Sequence, residues 1–177
     1  MQEKYRIGIG TDSHRFVPNI ERTEKLTSDE VEEISPKIKG SLFRIGGVDI
    51  IDIKVIANSD GDVVYHALYD AISSAIGESS IGVKFPNDPG PSKKFLLSIK
   101  QDMEEKGYKI NNISIVIECA KPKIIPIEKQ IKENLASIFD INPTHIGITA
   151  KSGERLTAFG CGEGVEAIAN VLLISIE

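Results

Sequence analysis

Three residues far apart in the chain have side chains that together suit a metal ion: Asp12, His14 and His66. Asp12 and His14 are two residues apart at the end of a predicted strand, and residues with that spacing project from the same face. Two imidazoles and one carboxylate make a zinc ligand set with an open fourth position, which suits a catalytic ion. The spacing alone also fits surface or packing residues, and both interpretations stay open at this point.

His66 lies in the stretch Asn58–Asp70, where a polar cluster runs into a predicted amphipathic helix. Ser59 is expected to cap this helix, with Asp62 as the acid of a capping box. Asp62, His66 and Asp70 are four residues apart and line one stripe. The two carboxylates either orient His66 or serve only capping and solvation. The apolar positions at helical spacing are Val64, Leu68, Ala71, Ile72, Ala75 and Ile76, and Gly77 suits the helix end.

A predicted strand over residues 5–9 leads into the first two candidate ligands. Its pair Gly8 and Gly10 resembles the start of a dinucleotide-binding turn. The third glycine of that fingerprint would fall at position 13, which is Ser13. We therefore reject a dinucleotide site.

The rest of the chain interleaves predicted strands and helices without an internal repeat. Residues 17–40 are polar and charged and are interpreted as a surface insertion, and residues 80–90 are rich in turn residues and are interpreted as a loop. We expect extended segments at Leu42–Val48, Ile50–Ile56, Ile113–Cys119, Ile146–Ala150 and Val165–Ile176, and helices over Phe95–Met103 and from Pro126 to about Asn142. The predicted fold class is α/β or α+β: one domain over residues 1–177, with a mixed sheet, helices on one face and the last strand central.

The composition limits the classes of function. A chain of 177 residues with 41% hydrophobic content suffices for one sizeable core, and its net charge of −5 argues against a nucleic-acid groove. Cys119 and Cys161 belong to no paired motif, which argues against a disulfide framework or a cysteine zinc site. No apolar run reaches the about twenty residues of a membrane span, and no signal-peptide pattern is present. We expect a soluble protein of a bacterial cytoplasm, or of a plastid stroma after removal of an import segment.

Several short motifs occur in the order found in one enzyme family. They are Gly10-Thr11-Asp12-Ser13-His14, Ile45-Gly46-Gly47-Val48, Asn58-Ser59-Asp60-Gly61-Asp62, His66-Ala67-Leu68-Tyr69-Asp70, Phe85-Pro86, Pro122-Lys123 and Gly160-Cys161-Gly162-Glu163-Gly164. With them the chain resembles the 2-C-methyl-D-erythritol 2,4-cyclodiphosphate synthase family over nearly its whole length, apart from residues 17–40.

This resemblance implies a homotrimer whose sheets line a central prism, with an active site at each subunit interface. It implies conversion of 4-diphosphocytidyl-2-C-methyl-D-erythritol 2-phosphate to 2-C-methyl-D-erythritol 2,4-cyclodiphosphate with release of CMP, in non-mevalonate isoprenoid biosynthesis. By the same resemblance Asp12, His14 and His66 hold zinc, and Glu154 binds magnesium or manganese. The attacking phosphate is already an anion, so alignment and charge neutralisation suffice and no serine nucleophile is needed.

The resemblance also assigns residues around the substrate. Asn58 and Ser152 fall at catalytic positions, and Ser59 and Asp62 fall near the substrate as well as at the helix cap. Pro122 is equally explained by a turn that ends a strand. The remaining positions are the cytosine pocket (Cys119, Pro122, Lys123, Ile124 and Ile125), the segment beside the cytidine phosphates (Ala150, Lys151, Ser152 and Gly153) and the loop over the erythritol and its phosphate (Ser80, Gly82, Phe85, Pro86, Asn87 and Asp88).

Four residues depart from the family pattern. Asn58 stands where a histidine is common, and an amide can donate a hydrogen bond but cannot be cationic. Ser80 replaces an aspartate that holds the erythritol hydroxyls, and Asn87 replaces an acid in the same loop. Cys161 replaces an arginine associated with phosphate binding near the trimer axis. The departures keep the metal ligands and alter groups expected at the reacting phosphates, the sugar and the axis.

Two other functions stay open. A zinc hydrolase of a nucleoside diphosphate ester would use the same ligands with water as the nucleophile. A non-catalytic trimer that binds metal or an isoprenoid diphosphate would explain the substitutions at Asn58, Ser80 and Cys161. The retained Asp12, His14, His66 and Glu154 weigh against it.

Overall fold

The computed structural model describes residues 4–17, 43–57, 59–86 and 88–176. Among these, no helix is long and apolar enough to cross a membrane. In chain order the elements are β1 (Tyr5–Arg15), β2 (Phe43–Ile45), β3 (Val48–Ile50), α1 (Val63–Ile76), α2 (Ile81–Lys84), α3 (Lys93–Glu105), β4 (Tyr108–Glu118), α4 (Glu128–Phe139), β5 (Ile146–Lys151) and β6 (Gly164–Ser175).

Four strands form one mixed sheet in the order β1-β6-β4-β5. β6 pairs antiparallel with both β1 and β4, whereas β5 pairs parallel with β4. A parallel neighbour requires a crossover, and α4 lies in the connection between β4 and β5. The predicted class, a mixed sheet in an α/β fold, is confirmed, and so is the central place of the last strand.

The helices cover one face of the sheet and bury the core against it. α1 packs on β1 and β6, and α3 packs beside α1. Burial alternates along β1, so Gly8 and Gly10 face the helices while Ile7 and Ile9 remain 79% and 58% exposed on the other face. The largest fully buried side chains are Tyr69, Phe43, Ile45, Leu68, Ile72, Leu96, Ile99, Met103, Ile113, Ile115, Ile117 and Ile131.

Gly8 and Gly10 allow α1 to lie directly on β1. A Cβ atom at either position would stand under 3.0 Å from backbone atoms of the helix. Only glycine leaves room for that approach. The helix atoms concerned belong to Ala67, Asp70, Ala71 and Ala75. The two glycines that mimicked a dinucleotide-binding turn therefore serve helix–strand packing.

β1 is longer than predicted. It continues beyond Ile9 to Arg15 because every residue in that stretch has a partner on β6, the last pair being Arg15 and Gly164. Asp12 and His14 consequently lie inside a regular strand rather than after it. Their position two residues apart on one face agrees with the prediction.

The start of α1 also differs from the prediction. Asp62, not Ser59, occupies the N-cap position, and its side chain accepts a hydrogen bond from the Tyr65 N–H. Ser59 lies outside the helix, where its hydroxyl accepts from the Gly61 N–H in a turn with Gly61 at φ 66°. The end at Gly77, with φ 71°, is as predicted.

The predicted loop over residues 80–90 contains a short helix, α2. The Asp70 carboxylate accepts from the Ile81 N–H at 2.8 Å and so satisfies a donor of its first turn. A single turn fixed by a distant side chain shows no periodicity, which is why the sequence did not reveal it.

The other predicted elements are confirmed with shifted ends. β2 and β3 form a hairpin around the predicted Gly46-Gly47 turn. The exception is the extended segment predicted at Ile50–Ile56, which contributes only Ile50 to the end of β3 and an isolated bridge between Val55 and Phe16. β4 starts at Tyr108, before the predicted Ile113, and α3, α4 and β5 lie where expected. Of the predicted insertion, residues 18–40 lie outside the described residues.

We expect Gly10→Ala to destabilise the fold by about 1–3 kcal/mol, because the added methyl group forces α1 away from β1. Urea unfolding followed by circular dichroism measures the effect. Gly147→Ala is the matched control, since the nearest atom to its Cβ would be the Ile113 carbonyl oxygen at 3.9 Å; its change should stay within about 0.5 kcal/mol. Equal stability of Gly10→Ala and the control would contradict the packing role.

Candidate active site

The three predicted metal ligands converge where β1 passes under α1. Asp12 Oδ2 lies 3.2 Å from His14 Nε2 and 2.9 Å from His66 Nδ1. The two imidazole rings meet edge to face, with centroids 5.4 Å apart. One ligand atom from each residue lies within 4.8 Å of the other two, so the cluster can hold a metal ion.

His14 provides the clearest sign that the cluster suits a metal. Its Nε2 is buried and has no hydrogen-bond partner among the described residues, although Asp12 is near. Burial lowers the pKa of His14, against the opposing charge of Asp12. A neutral imidazole with an unsatisfied buried nitrogen has the lone pair that a cation requires.

His66 is held on both sides of its ring. Burial lowers its pKa, but the hydrogen bond to Asp12 and the Asp12 charge outweigh burial and leave the pKa raised. The other ring nitrogen, Nε2, lies 2.8 Å from Ser92 Oγ and 3.3 Å from Ser59 Oγ. Nδ1 is therefore the nitrogen directed at the cluster, and Nε2 faces the start of α3.

Asp62 serves the helix cap, one of the two roles left open for it, and its carboxylate makes no hydrogen bond to His66 among the described residues. It is 0% exposed, and within the described part of the chain its side chain accepts hydrogen bonds from backbone N–H groups alone. Oδ1 accepts from Gly46 N at 2.8 Å and Tyr65 N at 3.1 Å, and Oδ2 accepts from Gly47 N at 2.6 Å. Burial raises its pKa to about 6, opposed by these three donors. Asp62 ties the β2–β3 hairpin to the start of α1.

Asp70 likewise does not orient His66. Its carboxylate is used by the Ile81 N–H at the start of α2. Burial raises its pKa. The stripe of Asp62, His66 and Asp70 thus exists on the helix, but each side chain has a different partner.

The loop predicted to cover the sugar reaches the cluster through aromatic contacts. Phe85 packs on Phe95 with ring centroids 4.8 Å apart, and Phe95 lies 6.1 Å from the His66 ring. Asp88 accepts from Gly90 N at 2.9 Å and pairs with Lys94. Ser80, Gly82 and Pro86 are exposed along this loop. Asn58 and Asn87 lie outside the described residues.

Of the residues predicted beside the cytidine phosphates, Lys151, Ser152 and Gly153 line a separate open cleft, and Ala150 is not part of its lining. Its volume is about 390 Å³, and it lies at the carboxyl ends of β4 and β5. Its lining is Glu118, Lys151, Ser152, Gly153, Glu154, Leu156 and Thr157. The structure therefore brings Lys151 to Glu154 together, and the cleft is accessible to a ligand.

Glu154 has an unusual backbone. It adopts φ 44°, and Gly153 before it and Arg155 after it adopt φ 64° each. Left-handed backbone is costly for a side chain other than glycine, and such strain is concentrated at functional sites. The turn leaves the Glu154 carboxylate exposed at the cleft.

The residues predicted to form the cytosine pocket follow the end of β4. Cys119 is buried; its thiol donates to the Pro122 carbonyl at 3.4 Å, and burial raises the thiol pKa to about 11. Ile124 is buried and Ile125 is exposed, with Lys123 between Pro122 and Ile124. The Cys119 N–H donates to the Lys151 carbonyl, so this segment adjoins the cleft. Cys161 is exposed, and its thiol donates to the Arg155 carbonyl.

The two groups of site residues lie on opposite edges of one sheet. A row of paired residues crosses it from Asp12 through Ala167 and Ile117 to Ala150. Three strand spacings, roughly 14 Å, separate the cluster of Asp12, His14 and His66 from the cleft. A single chain thus carries both groups without joining them.

Sequence reasoning missed Ser92 and Asp60. Ser92 is fully buried, its hydroxyl donates to Asp60, and it contacts His66. A serine directly before a predicted helix signals a helix cap. That signal points to local structure, and nothing in the sequence indicates that the hydroxyl turns away from its own helix.

The fold is that of a known enzyme family. The family model described as YgbB family matches residues 5–174, and the chain belongs to that family. The 2-C-methyl-D-erythritol 2,4-cyclodiphosphate synthase of Ehrlichia ruminantium (strain Gardel) is 39% identical over 174 residues, which cover 95% of this chain and 92% of that protein.

Relatives and solved structures from a eukaryotic parasite agree. The apicoplast 2-C-methyl-D-erythritol 2,4-cyclodiphosphate synthase of Plasmodium falciparum (isolate 3D7) is 31% identical, covering 96% of this chain and 72% of that protein. A solved structure described as IspF of Plasmodium falciparum in a CDP complex superposes with a TM-score of 0.81 at 30% identity, covering 100% of both chains.

We expect Asp62→Asn to lower the free energy of unfolding by about 2 kcal/mol, because the amide NH₂ must face a backbone N–H and leave a buried donor unpaired. Chemical denaturation measures this. Asp52→Asn, at an exposed position between β3 and α1, is the matched control and should change stability by less than about 0.5 kcal/mol. An unchanged midpoint for Asp62→Asn would show that the hairpin does not depend on this carboxylate.

Proposed function

We propose that this chain converts 4-diphosphocytidyl-2-C-methyl-D-erythritol 2-phosphate to 2-C-methyl-D-erythritol 2,4-cyclodiphosphate and CMP, as its relatives' names describe for the product. The convergence of Asp12, His14 and His66 carries the proposal, since these residues come from two distant segments. An acidic chain needs such a centre to bind a substrate with three phosphoryl groups.

In the proposed reaction the 2-phosphate oxygen attacks the β-phosphorus of the diphosphate. A new P–O bond closes the ring, the bond from the β-phosphorus to the bridging oxygen breaks, and CMP leaves with that oxygen. Neither a serine nucleophile nor a strong base is needed, because the attacking oxygen is already anionic. The chain's task is to align the two phosphorus centres and offset their charge.

Zinc fits the Asp12, His14 and His66 donors, and magnesium or manganese fits the carboxylate oxygen of Glu154. When bound, these ions supply Lewis-acid neutralisation of the phosphates. Asn58 and Ser152 are proposed to donate hydrogen bonds to the reacting phosphates. Ser59 is proposed to contact the substrate beside the zinc site.

The remaining proposed contacts divide between the cleft and the loop. Backbone groups at Cys119 and at Pro122 to Ile125 would read the cytosine. Ala150 to Gly153 would hold the cytidine phosphates. Residues 80–88 would cover the sugar. The solved Plasmodium falciparum neighbour binds CDP, as its description states, which supports a cytidine nucleotide as the ligand of this cleft.

We propose that the active chain is a homotrimer with sites between subunits. The exposed Tyr5, Ile7 and Ile9 on the helix-free face of β1 are the apolar surface that association would cover. The roughly 14 Å between the metal cluster and the cleft supports the same assembly, since a neighbouring subunit can bring its cleft to the cluster.

Purified protein given the cytidylyl substrate, zinc and magnesium should release CMP and form the cyclic diphosphate in equal amounts, as measured by phosphorus NMR. His66→Ala should lose zinc, measured by elemental analysis, and lose turnover by about 100-fold or more. His145→Ala, an exposed histidine before β5, is the control and should keep both.

The products separate the proposal from its alternatives. A linear monophosphate in place of the cyclic product would identify a hydrolase. Tight binding of the substrate without any product, including after Asn58→His, would identify a binding protein. Either result would overturn the synthase.

Glu154→Gln keeps the size of the side chain and removes its charge. We expect turnover to fall by about 100-fold or more while zinc content stays unchanged, because Glu154 serves the second ion. Glu133→Gln, on the outer surface of α4, should keep wild-type turnover. Normal turnover of Glu154→Gln over a magnesium titration would exclude the role.

A further inference from the structure

Ser92 and Asp60 join His66 in a continuous buried chain of hydrogen bonds. Ser92 Oγ lies 2.8 Å from His66 Nε2. Its hydroxyl bonds Asp60 Oδ1, and its N–H lies 3.2 Å from both Asp60 oxygens. Ser92 is 0% exposed, so no bulk water replaces these partners.

The positions of the protons in this series of hydrogen bonds follow from the chemistry of the three side chains. An ionised Asp60 carboxylate only accepts hydrogen bonds, so the one hydroxyl proton of Ser92 goes to Asp60. Ser92 Oγ must then accept from His66, which places a proton on Nε2. Because Nε2 keeps its proton, the lone pair that a metal would use is the one on Nδ1, the nitrogen that faces Asp12 at 2.9 Å. There the metal would replace the proton that Nδ1 donates to the Asp12 carboxylate.

Asp60 is itself fixed by the neighbouring hairpin. Arg44 on β2 lies 3.4 Å from Asp60 Oδ2, and Arg44 Nε donates to Asp49 at 2.6 Å. The Arg44 N–H also donates to the Asp60 carbonyl at 3.2 Å. The carboxylate that orients Ser92 therefore has a charged partner and a backbone tether.

We propose that Ser92 and Asp60 are positioning residues of the metal centre: they fix the His66 ring with Nε2 protonated, so that Nδ1 is the ligating atom. This inference rests on the proposed metal site. A ligating histidine normally donates its second nitrogen to a fixed acceptor, and loss of such a partner costs about 10- to 100-fold in metal affinity. Here the Asp60 carboxylate fixes the Ser92 hydroxyl, and that hydroxyl accepts the hydrogen bond from the His66 ring.

Ser59 is not the main partner of His66. Its hydroxyl lies 3.3 Å from Nε2, farther than that of Ser92, and it already accepts from the Gly61 N–H. Ser92, and not Ser59, is therefore the serine proposed to position His66.

The test measures zinc affinity by competition with a chromophoric chelator. Ser92→Ala and Asp60→Asn should each weaken zinc binding by about 10- to 100-fold, and Ser92→Thr, which keeps the hydroxyl, should recover most of the affinity. Ser73→Ala is the matched control: Ser73 is a buried serine on the same helix as His66, and its hydroxyl donates to the Asp70 backbone carbonyl and not to His66. Its zinc affinity should equal that of wild type.

A spectroscopic readout distinguishes positioning from general loss of structure. Zinc-loaded protein labelled with ¹⁵N-histidine should show a slowly exchanging His66 Nε2–H proton, which Ser92→Ala should expose to solvent exchange. If Ser92→Ala does not fold, Asp60→Asn, which preserves size, carries both measurements. Wild-type zinc affinity in the folded variants, or coordination through Nε2, would overturn the inference. Failure of the wild-type chain to bind zinc would instead overturn the proposed metal site, and this inference with it.

Discussion

The structure depends on one close approach of two backbones: α1 lies against Gly8 and Gly10 of β1. These glycines occupy the face of β1 that continues into Asp12 and His14. Because the strand and the helix touch directly, His66 on α1 comes within hydrogen-bond distance of Asp12 on β1. Packing and ligand geometry are thus set by one contact, and a methyl group at Gly10 would disturb both.

Buried carboxylates organise the rest of the site around that contact. Asp62 gathers three backbone donors and binds the β2–β3 hairpin to the first turn of α1. Asp60, two residues earlier, binds the start of α3 through Ser92. Two acids in one short turn therefore hold a hairpin, two helices and His66 in fixed relation. Burying charge is costly, and it is tolerated at Asp62 because its carboxylate accepts three backbone hydrogen bonds.

Local patterns predicted most of the fold. The period of α1, the alternation that places Asp12 and His14 on one face, and the apolar run of β6 all follow from backbone geometry that neighbours in sequence determine. The ends of β1 and the short helix α2 could not be predicted in this way. Pairing with β6 sets the length of β1, and the distant Asp70 carboxylate fixes the start of α2. Ser92 was missed for the same reason. In the sequence, a serine before a helix is equally consistent with a helix cap and with a contact to a distant histidine, and only the fold shows that its partner is His66. Assignments around the substrate came from resemblance to a family and stay predictions.

The cluster of Asp12, His14 and His66 and the Glu154 cleft lie on opposite edges of the sheet, and this separation has a genetic consequence. In the proposed trimer, each complete site takes its cluster from one copy and its cleft from another. Two defective alleles, one damaged at the cluster and one at the cleft, would then restore some intact sites when their products mix. Two alleles damaged in the same half would not. In the proposed trimer, function would therefore require one intact cluster and one intact cleft at the same interface, and the two could come from different copies of the chain.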